Sequence, residues 1–584
     1  MKSTNSYKGF EIWFNGLRMA IKMHLYIFLI FLFLQIVITL TVTYFLQGKR
    51  YGAIGRYVLD SVRLFQAPDM NILWPYVTYL FWNLVCVFLA SSVIYFGYPF
   101  AIAMFKGRSK KQLKTKHLAG AGLVSVQEFA RQIGNGDLPF GSFRLPAREE
   151  TKHCLTVGRP GTGKTVFLSQ VVERLIERKA KGVIYDFKGD YFSRFYDPDR
   201  DILFNPLDRR SAGWNLFSDI KTKLDINVMA SSLIPPVYTG DTFWNDAARG
   251  VFSGILHYLW QHNRRTNSDI WGGVTAPGEN IHDWLRATPE GQTGFRYVED
   301  SSSKQALSVF ATMMQYTAAF EYMSQGDTAF SVTEWLSNEK PGFIFVTNQS
   351  DLKDTLKPIL SLFIDFLGKK LLSLPDDLQR RVFFLLDEFG TLQRLSSIKE
   401  LLIASRSKGG SCWIGIQDIG QLNKLYTQDV ADTIVNACGS SVMFAVSDPR
   451  TAKYLVDKIG DTEIMEAEET YSMGVANYRD GVSLTQRRKR QRLILDSELM
   501  NLPDLQAYVK VPNNPSITLS RFAIREYPAR TTSFVIRENL LLDTVIERQA
   551  EGDPLMEEPV FGSLDMASNG KHAPTHNTGV LPLF

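Results

Sequence analysis

Two long stretches of this chain carry no charge, and the rest alternates short apolar runs with amphipathic ones. Residues 25–48 lack any charged side chain, and 25–46 are almost wholly apolar. As a helix, 25–46 reaches about 33 Å at about 1.5 Å per residue, enough to cross a bilayer core. A second uncharged stretch runs from 71 to 105, interrupted only by weakly polar groups such as Asn83. A cleaved signal peptide fits poorly, because the first run is too long and no small-residue cleavage site follows it. A buried core helix rarely stays uncharged over such lengths. The pattern predicts an N-terminal arm (1–24), two membrane spans (25–46 and 75–104) and a short loop between them (47–74).

Lysine and arginine placement orients the spans. Lys106, Arg108, Lys110, Lys111, Lys114 and Lys116 follow the second span at once, outweighing Lys49, Arg50, Arg56 and Arg63 in the connecting loop. The arm adds Lys2, Lys8, Arg18 and Lys22. Positive charge stays inside, so both termini are expected in the cytoplasm, with the loop in the periplasm and roughly 480 residues of cytoplasmic protein.

In that cytoplasmic part, apolar runs ending in polar residues occur at 153–157, 182–186, 341–347, 381–386, 411–417 and 442–445. Continuous apolar runs of this length suit parallel strands buried on both faces, and helix-like stretches between them give a doubly wound α/β pattern. Residues 215–340 break the rhythm: 242–261 and 303–322 look helical and β-alternation is nearly absent, which predicts an α-helical insertion. The nucleotide-binding domain is thereby split into 105–214 and 341–550. Residues 551–584 are sparse in apolar runs and rich in Gly, Pro, Asn and Asp, the composition of a flexible tail.

Composition narrows the class without naming it. With 45% hydrophobic and 21% charged residues, the chain is neither disordered nor fibrous. A formal charge of 65 − 60 = +5 is too mild to announce a nucleic-acid binder. The four cysteines (Cys86, Cys154, Cys412 and Cys438) form no CxxC, and the eight histidines form no HExxH. A disulfide scaffold or a metal site built from protein ligands alone is not indicated.

The chemistry starts after the run at 153–157, with Gly158-Arg159-Pro160-Gly161-Thr162-Gly163-Lys164-Thr165 leading into a helix-like 166–179. This is GxxxxGK[ST] in its strand–loop–helix context. Glycines let backbone N–H groups curl round a phosphate chain, and the helix N-terminus adds positive partial charge. Lys164 is expected to reach the β- and γ-phosphates, and Thr165 to help hold Mg²⁺. Residues 381–388 (RVFFLLDE) form an apolar strand ending in two acids; Asp387 is expected to bind the metal through water and Glu388 to act as general base. The alternative for these acids is an ordinary polar strand end. Asp387-Glu388-Phe389-Gly390 also spells the DxxG of GTPases, but Asn348 and Asp351, the nearest approach to a guanine-reading motif, precede it and lack the lysine. The spacing of 387 − 164 = 223 residues is likewise too long for a compact GTPase, so ATP is the better nucleotide.

Three further features bear on mechanism. Gln417 ends the strand that follows the acidic pair, where an amide can sense the γ-phosphate or simply cap a strand. Arg406 lies at the turn before that strand, either as a solvated surface group or as an arginine reaching a neighbouring subunit's nucleotide. The basic run 487–492 (RRKRQR) reads as a phosphate-tracking segment or a solvated loop.

Taken in order, these motifs resemble the TraD/TrwB-like coupling proteins of conjugative type IV secretion systems, and more distantly the FtsK/HerA DNA pumps. The stretches that carry the resemblance are the phosphate loop, 183–191 (VIYDFKGDY), 204–214 (FNPLDRRSAGW), 243–250 (FWNDAARG), 385–391 (LLDEFGT), 407–421 and 502–512 (LPDLQAYVKVP). The resemblance implies a RecA-like nucleotide domain with an all-α insertion, assembling as a hexameric ring at the inner membrane. It places the family's arginine finger on Arg406 and its glutamine sensor on Gln417. It also implies ATP-driven movement of single-stranded DNA, with its attached relaxase, from the relaxosome toward the inner-membrane components of a type IV secretion channel. F-type relatives dock a relaxosome protein on their C-terminal tail; the tail here is short and only weakly acidic. Two other readings compete. One is an ATP-switched membrane receptor that recruits relaxase or protein substrates without pumping DNA. The other is a segregation or repair pump of the FtsK/HerA type, against which two spans rather than four and the FNPLD and LPDL stretches argue.

Overall fold

The computed structural model describes residues 6–47, 116–237, 240–323, 330–472 and 481–541, with scattered positions between 59 and 103. Contacts divide the chain into two units: residues 1–120 with 461–491, and residues 121–460 with 492–584. The tail 551–584 and most of the basic cluster after the second apolar stretch lie outside the described residues.

The first unit contains helix α1 (Ser6–Gln47). Within α1, Ala20–Ile38 has a mean hydropathy of 2.2 and none of it is buried, so this segment is long and apolar enough to cross a membrane. Among the described residues it is the one helix that meets that test. Every described position between 75 and 104 is also helical. The two apolar segments meet: Gln35 Nε2 donates to Ser91 Oγ at 3.1 Å, and Gly97 lies so close to the Phe31 ring that a Cβ there would stand 2.7 Å from it. The same unit holds a three-stranded sheet in the order Lys116–Gly120, Asp461–Ser472, Gly481–Arg492.

That small sheet departs from the expected domain bounds, since 105–214 and 341–550 were both assigned to the nucleotide domain. It also places the basic run in a strand instead of a loop. Lys489 lies 3.5 Å from Glu466 and Arg490 2.7 Å from Asp461 across this sheet, so part of the run's charge is neutralised by the acidic neighbouring strand. A strand with polar side chains on both faces has no period-two signal, and for that reason it reads as a loop.

The second unit is built on a ten-stranded sheet. Its strands in chain order are β1 (Gly122–Val124), β2 (Cys154–Val157), β3 (Lys181–Asp186), β4 (Ile202–Phe204), β5 (Gly342–Thr347), β6 (Val382–Leu386), β7 (Gly410–Ile416), β8 (Ser440–Met443), β9 (Gln506–Lys510) and β10 (Ser516–Arg521). Across the sheet the order is β1-β10-β9-β8-β2-β7-β6-β3-β5-β4. From β8 to β4 all neighbours are parallel. β9 runs antiparallel to β8 and to β10, so the sheet is mixed at one side.

Side chains alternate between two cores, as pleating requires. Leu155, Val157, Val183, Tyr185, Phe384 and Ile414 face one core; Cys154, Ile184, Phe383, Leu385 and Trp413 face the other. Helices α2 (Lys164–Glu177) and α3 (Asp190–Phe195) cover the second face through Phe167, Val171, Phe192 and Phe195. Helices α4 (Phe243–Gln261), α5 (Lys353–Ser373) and α6 (Ile398–Ala404) pack into the first core. Because both faces are covered, every residue of β2, β5, β6 and β7 is buried, which is why these strands appear in the sequence as unbroken apolar runs.

Between β4 and β5 the described residues are mostly helical, from Leu216–Asp219 to Val332–Ser337. The entry and exit of this insertion are tied by one fully buried carboxylate. Asp219 accepts from Trp214 Nε1 at 2.9 Å, from Ser331 Oγ at 2.8 Å, and from the Val332 and Thr333 N–H groups at 2.9 Å each. Four donors on one carboxylate compensate its burial and fix where the insertion leaves and rejoins the sheet.

Candidate active site

Parallel strands present their C-terminal ends on one edge, and this edge carries the chemistry. β2 ends into the loop Gly158–Thr165. Gly161 and Gly163 adopt φ of +82° and +114°, which turns the loop and lets α2 start at Lys164. Thr162 Oγ1 donates to the Arg159 carbonyl at 2.8 Å, and Arg159 N–H donates to Ala445 O at 2.8 Å. Pro160 lies at the exposed tip. Lys164 is 7% exposed; its ammonium donates to the carbonyls of Gly158 and Arg159. Burial pushes the Lys164 pKa down, opposed by the charges of Asp387 and Glu388. Those two carboxylates therefore lie within electrostatic reach of the loop.

Asp387 and Glu388 follow β6, next to β7. Burial pushes the Asp387 carboxyl up to about 6, opposed by a hydrogen bond from Tyr191 and by the charge of Lys164. Tyr191 Oη donates to Asp387 Oδ2 at 3.0 Å, while Asp387 Oδ1 is shielded from solvent and has no hydrogen-bond partner among the described residues. A shielded, unpartnered carboxylate oxygen beside a threonine hydroxyl and a phosphate loop is the donor set a hard divalent cation requires. Gln417, just past β7, donates from Nε2 to Glu388 Oε1 at 3.0 Å. The structure thus brings Lys164, Asp387, Glu388 and Gln417 together at one edge of the sheet.

Arg406 is elsewhere. It sits in the turn Ser405–Lys408 before β7, at the opposite edge, with the whole of β7 between it and Gln417. At about 3.3 Å per residue the seven-residue strand spans roughly 23 Å, beyond any side chain's reach. Within one protomer Arg406 does not approach the phosphate loop.

Three contributors carry no motif signal of their own. Tyr191 is fully buried, its hydroxyl donates to Asp387, and it lies within electrostatic reach of Thr165 at the end of the phosphate loop. Asp186, at the end of β3, accepts from the N–H groups of Asp190 at 3.0 Å and Phe192 at 2.8 Å, and so anchors the short helix that carries Tyr191. Burial pushes the Asp186 pKa up to about 7. Leu505 adopts φ of +62° and donates its N–H to the Thr162 carbonyl at 2.9 Å, bracing the loop from behind, while Asp504 lies 3.8 Å from Arg159. The signal for all three was their place in the conspicuous stretches 183–191 and 502–512, which periodicity alone does not interpret.

Gly415 in β7 lets this strand approach the Asp387 backbone closely. A Cβ at this position would stand 2.1 Å from the Asp387 carbonyl oxygen. Gly415→Ala is expected to force β6 and β7 apart, destabilising the unit by about 1–3 kcal/mol and weakening nucleotide binding together with it. Denaturant midpoints and fluorescent-nucleotide titration of the same sample check both effects.

The family model for the type IV secretion-system coupling protein DNA-binding domain matches residues 137–521. Coupling protein TraD of Escherichia coli (strain K12) is 28% identical over 474 residues, covering 78% of this chain and 65% of TraD, so the chain spans just under two thirds of that relative's length. Protein VirD4 of Rhizobium radiobacter is 24% identical over 502 residues, 78% of this chain and 69% of VirD4. Among solved structures, the unbound bacterial conjugative coupling protein TrwBdeltaN70 superposes with a TM-score of 0.65 at 27% identity, covering 72% of this chain and 97% of that one. TrwB in complex with ADP and Mg²⁺ gives 0.64 at 26% identity, covering 73% and 98%. TrwB has also been solved with non-hydrolysable analogues of GTP and of ATP. With a family model matched across most of the α/β unit, phosphate loop and acidic strand end included, the chain belongs to the type IV secretion-system coupling proteins.

Proposed function

We propose that this chain is an inner-membrane ATPase that couples relaxase-bound single-stranded DNA to a type IV secretion channel and drives its transfer during conjugation. The observation that carries the reading is the convergence of Lys164, Asp387, Glu388 and Gln417 at the C-terminal strand ends, with one Asp387 oxygen left unpartnered. The protein acts as a homo-hexameric ring on two membrane spans, 25–46 and 75–104, with both termini in the cytoplasm. Its partners are the relaxosome and the inner-membrane components of the secretion channel.

In this reading the backbone N–H groups of the loop, Pro160 having none, bind the triphosphate, and Lys164 turns from its loop carbonyls to the β- and γ-phosphates. Thr165, and Asp387 through water, are the residues that would hold Mg²⁺, which when bound would supply positive charge against the phosphates. Glu388 polarises the attacking water, and Gln417, hydrogen-bonded to Glu388, senses whether the γ-phosphate is present. Arg406 stabilises transition-state charge on the nucleotide of the neighbouring protomer. Loops facing the pore then follow the DNA backbone, a contact that is independent of sequence and weakened by salt. TrwB accommodates analogues of both purine triphosphates; the preference for ATP rests on the missing guanine-reading motif.

The test is Mg²⁺-dependent ATP turnover by the full chain in detergent, with and without single-stranded DNA, at low and high salt. Turnover that rises with DNA and loses the increase at high salt supports the pump. A chain that binds ATP but turns it over at one rate regardless of DNA favours the switched receptor. Tyr191→Phe gives a finer check. Loss of the hydroxyl that holds Asp387 is expected to weaken Mn²⁺ binding to the nucleotide complex by about tenfold or more, with metal-free nucleotide affinity unchanged.

A further inference from the structure

The stretch 204–214 takes no part in the nucleotide chemistry above, yet it contains a fully buried carboxylate, Asp208. Arg210 donates to that carboxylate from its backbone N–H, Nε and Nη2, at 2.9, 2.9 and 2.6 Å. A buried acid met by a guanidinium fork is a strong, directional pair. The fork reaches further. Nη1 donates to Thr531 Oγ1 at 2.7 Å and to the Thr532 carbonyl at 2.9 Å. The guanidinium also stands 4.8 Å from the centre of the Phe192 ring, in the helix that carries Tyr191. One arginine therefore joins the turn after β4, helix α3 and a segment more than 300 residues away in sequence.

That segment, residues 522–541, follows β10 and runs as an irregular strap over both helices that serve the site. On α2, Glu173 accepts from Arg525 at 2.6 Å and from Tyr527 Oη at 3.1 Å. On α3, the Ser193 carbonyl accepts the N–H groups of Arg530 and Thr531 at 2.7 and 3.2 Å. Beyond α3 the strap pairs with the turn after β4: Arg209 N–H donates to Val535 O at 2.9 Å, and Val535 N–H donates to Asp208 Oδ2 at 3.0 Å. Helix α3 has only six residues. A helix that short is not stable by itself, so its contacts decide where it sits. Asp186 holds its first turn, and the strap with Arg210 holds its outer side.

We propose that Arg210 is a positioning residue for the metal site: by clamping the strap onto α3 it holds the Tyr191 hydroxyl against Asp387. The inference rests on the reading of Asp387 as the carboxylate that holds Mg²⁺. Each link is a contact in the structure, from Arg210 to Phe192 and the strap, from the strap to Ser193, and from Tyr191 Oη to Asp387 Oδ2 at 3.0 Å. When the clamp is weakened, α3 shifts, the hydroxyl withdraws and the carboxylate loses the partner that orients it. Arg210 makes no contact with the phosphate loop among the described hydrogen bonds and ion pairs, so nucleotide binding without metal does not depend on it.

The test uses the full chain in detergent, loaded with a non-hydrolysable ATP analogue and titrated with Mn²⁺ by electron paramagnetic resonance. Arg210→Lys keeps a cation for Asp208 but loses the fork that reaches the strap. It is expected to weaken Mn²⁺ binding by about threefold to tenfold, with metal-free nucleotide affinity unchanged. Thr531→Val leaves the Asp208 pair intact and removes only the strap's hydroxyl, so it decides the matter if Arg210→Lys does not fold. Its expected loss is about threefold. The decisive arm repeats both substitutions in a Tyr191→Phe background. There each should change Mn²⁺ affinity by less than about twofold, because the hydroxyl through which it acts is gone. Wild-type Mn²⁺ affinity in the folded variants, or losses that multiply with that of Tyr191→Phe, overturns the proposal. Asp387→Asn separates the two readings. If it loses Mn²⁺ while the clamp variants do not, the role of Arg210 alone falls. If it binds Mn²⁺ as tightly as wild type, Asp387 does not hold the metal, and this inference falls with that assignment.

Discussion

ATP turnover falls by about 10²–10³-fold or more when Lys164 is replaced by alanine, in protein that still folds and enters the membrane. The expectation follows from where the ammonium lies. It is buried, it hydrogen-bonds two carbonyls of its own loop, and burial lowers its pKa while Asp387 and Glu388 raise it. Alanine removes the charge that faces both the phosphates and the two acids. The Asp387 carboxyl, already pushed up to about 6 by burial, then loses one of the influences that keep it ionised. Nucleotide binding and catalysis should therefore fall together, unlike a defect confined to the chemical step. A coupled ATPase assay and a fluorescent-nucleotide titration on the same preparation check this; turnover within a few-fold of wild type would remove Lys164 from the site.

Arg406→Ala is expected to act differently and at least as strongly, lowering kcat by about 10³-fold while nucleotide affinity stays close to wild type. The structure separates Arg406 from the phosphate loop by the length of β7, so alanine cannot disturb nucleotide binding within its own protomer. Its effect requires assembly. Dilution below ring formation should erase the difference between wild type and variant, because neither then has a neighbour's arginine. A variant that loses affinity without losing kcat, or that differs from wild type when dilute, would place Arg406 in a structural role.

The parallel half of the sheet was legible in the sequence because both its faces are covered. Runs such as 382–386 and 410–416 are wholly buried, and only a strand between two layers of helices has that composition. β4 was not legible, being three residues long, and neither was the antiparallel pair β9 and β10: β9 offers only three apolar residues in a row and β10 alternates apolar with polar ones. The strand containing 487–492 was missed for the opposite reason: its exposed charges hide any periodicity. At the site, spacing pointed to Lys164, Asp387, Glu388 and Gln417, since each lies at a strand end that the apolar runs delimit. Tyr191, Leu505 and Gly415 act through contacts between segments distant in sequence, and no local pattern encodes such contacts.

The central claim is that residues 158–165 and the acids at 387 and 388 close around a Mg²⁺-bound triphosphate that a neighbouring protomer completes. The most direct test is a structure of the full chain assembled on single-stranded DNA with Mg²⁺ and a non-hydrolysable ATP analogue. The expected result is a triphosphate seated on the loop N–H groups, the ion between Thr165 and Asp387, and the γ-phosphate facing Arg406 of the adjacent protomer. A ring whose nucleotide lies away from Asp387, or whose interfaces leave Arg406 in solvent, would contradict it.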